Sequence, residues 1–147
     1  MGLLQPLLLM AGLTAAGNMS PSEVGTASMD NYIWKSRPLI VFTPTPGDPL
    51  AAGQRAVLDE KGYAFRDRDM ILVEVIGDRV SINGQTARGL RADDLRARYR
   101  VARDMAQALL VGKDGGVKLR SKTAFSANEL FATIDAMPMR QREMHRP

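Results

Sequence analysis

The chain contains no cysteine. That excludes disulfides, thiolate metal ligands and every mechanism that runs through a thiol. It does not fix the compartment, because an exported domain of this size can fold on its core alone. Histidine is nearly absent as well. The single one, His145, lies close to the C-terminus, so neither a histidine-based triad nor a histidine metal site is expected. Aromatic residues make up 5% of the chain. The densest arginine stretch, Arg88 to Arg103, holds only Tyr99 and is interrupted by Asp93 and Asp94. Nucleic-acid binding wants basic residues clustered with aromatics, and this pattern argues against it. The net charge of +4 and pI near 9.8 describe a mildly basic chain in which arginine outnumbers lysine. A solvated arginine-rich surface is the plain reading, and an acidic partner the alternative.

No apolar run reaches the roughly 20 residues that span a bilayer. The longest is Leu3 to Ala16, which ends in small residues and turns polar at Asn18. It reads as a secretory signal peptide over 1–17, although no Lys or Arg precedes it and Pro6 interrupts it. Residues 18–29 are polar and small and read as a linker. The expected organisation is then a folded domain over 30–144 and a short tail, 145–147, in a periplasmic or secreted protein. No transmembrane segment is expected after processing. With 45% hydrophobic and 24% charged residues, the remainder is a soluble single-core domain by composition.

Pro38-Leu39-Ile40-Val41-Phe42-Thr43 is a short β-branched apolar run, predicted as a strand buried on both faces. Upstream, the aromatics Tyr32 and Trp34 are expected to cover one side of the core. Asp48 followed by Pro49 starts a helix. It is predicted to run to about Lys61 and stop at Gly62, with Leu50, Ala51, Val57 and Leu58 inward. Met70 to Ile76 is a second buried strand. The Arg66-Asp67-Arg68-Asp69 run before it reads as mutually solvated charges, with an ion-pair ladder at the strand's mouth as the alternative. Asn83-Gly84 is the best tight-turn signal, placing a loop or small hairpin over Arg79 to Gln85. Leu90 to Tyr99 reads as a helix, with Asp94 and Arg98 at the favourable spacing for an ion pair.

The last third is the most ordered reading. Ala108 to Gly112 is a strand, Lys113-Asp114-Gly115-Gly116 a turn, and Val117 to Arg120 a half-exposed strand. Ser126 and Glu129 form a capping box flanked by Phe125 and Leu130. Ala127, Leu130, Phe131, Ile134 and Met137 then make a core-facing stripe that Pro138 terminates. The tail interleaves Arg140, Arg142 and Arg146 with Met139 and Met144 and reads as a frayed, solubilising end, with a docking segment as the alternative.

This order predicts an α/β fold: a thioredoxin-like three-layer sandwich. Its central mixed sheet would have about four strands, from parallel βαβ units and a C-terminal antiparallel hairpin, flanked by helices. In such folds the corner after the first strand is an anion-attracting place. Here it carries Thr43, Thr45 and Asp48, with Gln107 facing it, and these four are the candidate ligand corner.

Four segments carry a resemblance. They are Tyr32 to Phe42, the Arg68-Asp69 pair, Gly112 to Leu119, and Ile134-Asp135-Ala136-Met137-Pro138-Met139-Arg140. On these the chain resembles the family called domain of unknown function 4174, over roughly Asp30 to Met144. The resemblance implies a thioredoxin-like fold and an exported setting, since related domains occur in bacterial exported proteins and animal extracellular-matrix proteins. The peroxidase role suggested for such domains by analogy needs a thiolate, and this chain has none. Ala106-Gln107 also stands where thioredoxins carry a cis-proline. The expected function is therefore an exported binding or structural module without redox chemistry, its partner a protein or a small anionic ligand. The alternative is a non-thiol enzyme or anion-binding protein using the corner. No catalytic, cofactor-binding or metal-ligating residue is predicted.

Overall fold

The computed structural model describes residues 28–146. The apolar segment read as a signal peptide and linker residues 18–27 lie outside the described residues. Ser28 and Met29, assigned above to the linker, belong to the folded unit. They open a short 3-10 turn over Met29–Tyr32, and Met29 is buried in the core.

Strand β1 (Arg37–Thr43) is the centre of the molecule. It pairs in parallel with β2 (Met70–Ile76) through the helices α1 (Pro49–Glu60) and α2 (Gly62–Asp67). On its other side it pairs antiparallel with β5 (Gln107–Val111), which continues into β6 (Val117–Ser121). Beyond β2 lie β3 (Arg79–Ile82) and β4 (Gln85–Thr86). The sheet therefore has six strands, in the order β4-β3-β2-β1-β5-β6, rather than about four. Among the described residues only one βαβ unit is parallel.

The two additional strands come from the segment read as a loop or hairpin. Asn83 and Gly84 both have positive φ, at 50° and 85°, the geometry a two-residue type I′ hairpin needs. The Asn83 side chain also accepts the Leu72 N–H at 2.9 Å, extending the ladder on β2. Composition gave β3 and β4 no apolar run to announce them. They form because the turn aims one short segment back along an edge that is already built.

Period-two alternation sorts the core into two halves. Leu39 and Val41 face α1, α2 and the helix α4 (Ala127–Asp135), meeting Leu50, Leu58, Phe65, Leu130 and Ile134. Ile40 and Phe42 face the 3-10 turn and the helix α3 (Ala92–Tyr99), meeting Met29, Leu95 and Tyr99. Two helical layers thus enclose a mixed sheet. No helix among the described residues is long and apolar enough to cross a membrane.

Several local expectations change in context. Gly62 does not end the chain's first helical region but opens α2. Val57 is only half-buried, while Gln54 takes the fully buried place on α1. Helix α3 starts at Ala92, and Arg98 reaches Asp30 at 2.7 Å instead of Asp94. Ser126 caps α4 by accepting the Glu129 N–H at 3.1 Å. Pro138 does follow the end of α4, but it also begins a further helix, α5 (Pro138–Met144). The end read as frayed is folded onto the body. Trp34, expected to cover the core, is instead 65% exposed.

Candidate functional site

The candidate corner lies at the C-terminal end of β1. Thr43 is fully buried, and its Oγ1 has no hydrogen-bond partner among the described residues. Thr45 is exposed, and its carbonyl accepts the Asp48 N–H at 3.2 Å. Asp48 Oδ1 caps α1 by accepting the Leu50 N–H at 2.9 Å. Gln107 sits opposite Phe42 in the β1–β5 register, and its Oε1 accepts from Arg120 at 3.2 Å. The structure thus brings the four to one end of the sheet, with Asp48 and Gln107 each held by a local bond. Arg96 is the residue sequence reasoning missed there. It is 5% exposed and donates to the carbonyls of Gly77 (2.8 Å) and Thr43 (3.3 Å). The signal was available: Arg96 stands at helical spacing between Ala92 and Tyr99, both buried.

The opposite end of the sheet is built differently. It is separated by the length of β1, roughly 20 Å at about 3.3 Å per residue. Arg37, the first residue of β1, has no exposed surface. Its guanidinium grips both carboxylate oxygens of Glu143 at 3.2 Å and the Arg68 carbonyl at 2.9 Å. Lys113 joins Glu143 and also Asp69, the latter at 2.8 Å. Arg140, 7% exposed, donates to the Asp67 carbonyl and carboxylate at 2.9 and 2.7 Å and to Asp135 at 3.3 Å. Arg68 makes two bonds to Asp135, at 3.0 and 2.8 Å, and lies 4.2 Å over the Phe131 ring.

Four cations (Arg37, Arg68, Lys113, Arg140) and four carboxylates (Asp67, Asp69, Asp135, Glu143) therefore form one network, its two halves joined by Arg140 and Glu143 at 3.7 Å. The run read as mutually solvated, Arg66 to Asp69, supplies three of its members. Its members pair with other elements instead of with one another: Asp67 with Arg140 of α5, Arg68 with Asp135 of α4, and Asp69 with Lys113 of the hairpin turn. Partly buried charges of balanced sign, each with several hydrogen bonds, hold a geometry that isolated surface pairs do not.

The carboxylates respond to this setting. Burial pushes Glu143 upward, but the bonds from Lys113 and Arg37 more than offset it, and the net shift is downward. The bond from Arg68 holds Asp135 below its ordinary range, against burial, with Arg140 adding to the effect. A depressed folded-state pKa stabilises above the unfolded value and is lost as pH falls through the folded one. With unfolded values of about 3.9 for Asp and 4.3 for Glu, α5 should stay docked at neutral pH and begin to loosen only below about pH 4.5. Amide hydrogen exchange of α5 across that range is the check. Release above pH 6 would contradict the assignment.

A cleft of about 250 Å³ adjoins this network. Trp34, Met137, Pro138 and Met139 give it an apolar wall, and Gly112, Lys113 and Asp114 of the hairpin turn face them. Arg37, Lys118 and Arg142 complete the lining. Trp34 holds φ at 69°, a left-handed conformation that costs a bulky residue about 1–3 kcal/mol. Its N–H donates to the Lys113 carbonyl at 2.6 Å, which fixes it there. Gly115, at φ 85°, lets the turn pass close to Ile33; a Cβ there would meet Ile33 Cδ1 at 3.1 Å. Among the described residues no three His, Cys, Asp or Glu side chains converge as metal ligands would.

Residues 28–143 match the family model described as Domain of unknown function (DUF4174). The chain belongs to this family. Comparison with curated proteins finds the Sushi repeat-containing protein SRPX2 of Xenopus laevis, 26% identical over 145 residues, 95% of this chain. The match covers 29% of that protein, so the chain spans under a third of the relative's length. Among solved structures, the reduced 2-Cys peroxiredoxin of Plasmodium vivax superposes with a TM-score of 0.53 at 16% identity, over 80% of this chain and 85% of that one. Thioredoxin peroxidase I of Plasmodium yoelii gives 0.54 at 19% identity, over 81% of each chain. At these identities the likeness is one of fold: the DUF4174 domain is a thioredoxin-like α/β domain. The chemistry those two names describe does not follow with it, because this chain has no thiol.

Proposed function

We propose that this DUF4174 domain is an exported, non-redox recognition module, and that its binding face is the Arg37–Trp34 end of the sheet rather than the corner after β1. The observation that carries this is Trp34. The chain's only tryptophan is exposed, strained and pinned beside a cleft whose walls are locked by eight charged side chains. An exposed, rigid aromatic over an apolar cleft serves recognition better than packing. The thioredoxin-type corner offers no nucleophile in its place. Export rests on the apolar segment Leu3 to Ala16 and is tested by N-terminal sequencing of the native protein.

Carbene footprinting of the domain, free and mixed with cell-envelope extract, tests the face. Protection is expected at Trp34, Met139 and Arg142. The variant Trp34→Asn, whose side chain tolerates positive φ, should abolish it while keeping the fold. Protection confined to Thr45, Pro46 and Gly47 would overturn the choice of face.

A further inference from the structure

Resting on that reading of the face, we infer that the cleft binds a small organic monoanion: a carboxylate carried on a flat apolar body. Three observations converge on this class. The first is size. At about 250 Å³ the cleft falls just below the roughly 300–1,000 Å³ of sites for drug-sized molecules, and suits a single ring with a short arm. The second is the apolar wall. Trp34, Met137 and Met139 line it together, and sulfur and aromatic groups make an adaptable surface for a ring.

The third is charge. Four cations line the cleft: Arg37, Lys113, Lys118 and Arg142. Glu143 engages Arg37 and Lys113, Asp69 engages Lys113, and Asp114 engages Lys118 at 2.8 Å. Arg142, exposed at the cleft, makes no ion pair among the described residues. Counting these four cations against Glu143, Asp69 and Asp114 leaves one positive charge in excess, so the complement is one negative charge.

Because Trp34 is the only tryptophan, its fluorescence and indole N–H resonance report on this cleft alone. The test is a titration of the whole chain with phenylacetate, and with phenylacetamide as the neutral analogue. Phenylacetate is expected to give a saturable change at Trp34 and to shift the Met137 and Met139 methyl resonances. Phenylacetamide should bind at least about tenfold more weakly. Arg142→Glu, an exposed change that leaves the network intact, should weaken phenylacetate by about tenfold or more and flatten its salt dependence. Equal binding of acid and amide, or no saturable change with either, overturns the inference. Footprint protection at Trp34 by envelope extract without a phenylacetate response would sink the ligand class and keep the recognition face. Loss of both would remove the face itself.

Discussion

Replacing Arg37 by methionine is expected to lower stability by about 3 kcal/mol, the low end of the cost of breaking a buried ion pair. The shape of the side chain is roughly kept, so the loss reports on charge and hydrogen bonding. Glu143 would lose its two-pronged partner and the Arg68 carbonyl its donor. The low end applies because Glu143 keeps Lys113 and is 20% exposed. Urea unfolding at neutral pH measures the effect, and a loss below about 1 kcal/mol would show that the network is only decorative. The double variant Arg37→Met/Glu143→Leu separates the two components. If most of the cost is the stranded carboxylate, the double variant recovers part of it, with a coupling energy of about 1 kcal/mol or more. Because α5 is held through Glu143, the single variant should also raise hydrogen exchange in α5 before it affects the strands.

The variant Gln54→Leu is expected to cost a comparable amount, although it places an apolar side chain in the core. Gln54 has no exposed surface. Its Nε2 donates to the Phe125 carbonyl at 3.1 Å, and its Oε1 accepts the Phe125 N–H at 2.8 Å. One side-chain amide therefore satisfies both backbone groups of Phe125, immediately before the Ser126 cap of α4. Leucine leaves two buried backbone groups unpaired at about 1–3 kcal/mol each, offset by the apolar gain of burying leucine, about 1–2 kcal/mol. A net loss of about 3 kcal/mol is the expectation. Gln54→Glu is the informative companion. Its carboxylate accepts from Phe125 N–H but cannot donate to the carbonyl, so part of the loss should be recovered at low pH, when the acid carries a proton. Thermal unfolding of both variants from neutral to acidic pH tests this. A Gln54→Leu protein as stable as the parent would mean that α1 and α4 are held by packing alone.

These two residues show where sequence reading succeeds and where it stops. The strands at Leu39–Thr43 and Met70–Ile76, the Asp48 and Ser126 caps, the Lys113–Gly116 turn and the α4 stripe were all legible, because each is written within a few residues of itself. Their agreement was enough for the fold class. Gln54 was not legible, because a lone polar residue on a helix normally faces water and only the position of Phe125 makes burial favourable. Trp34 was read as core cover. The hydrogen bond from its N–H to the Lys113 carbonyl turns the ring outward, and that partner is far away in sequence. Thr43, Thr45 and Asp48 were near one another in sequence, so their shared place at the end of β1 could be read locally. The cleft could not, because its walls come from the start of β1, the hairpin turn and α5.

By itself, the sequence determined the absence of thiol chemistry, the continuous apolar run that gives β1 two buried faces, and the helix capped by Ser126. Apolar periodicity and capping act between neighbours, so they survive without a structure. Only the tertiary structure decided which charges meet. Arg37 and Glu143 lie 106 residues apart, Arg140 and Asp67 73, and Arg68 and Asp135 67. Any of the chain's many arginines could serve any carboxylate, since Coulomb attraction has no sequence code. The choice falls to the pairs that the packed sheet and its covering helices bring within hydrogen-bond distance and shield from water. That same closure turned a tail expected to fray into the wall of a cleft.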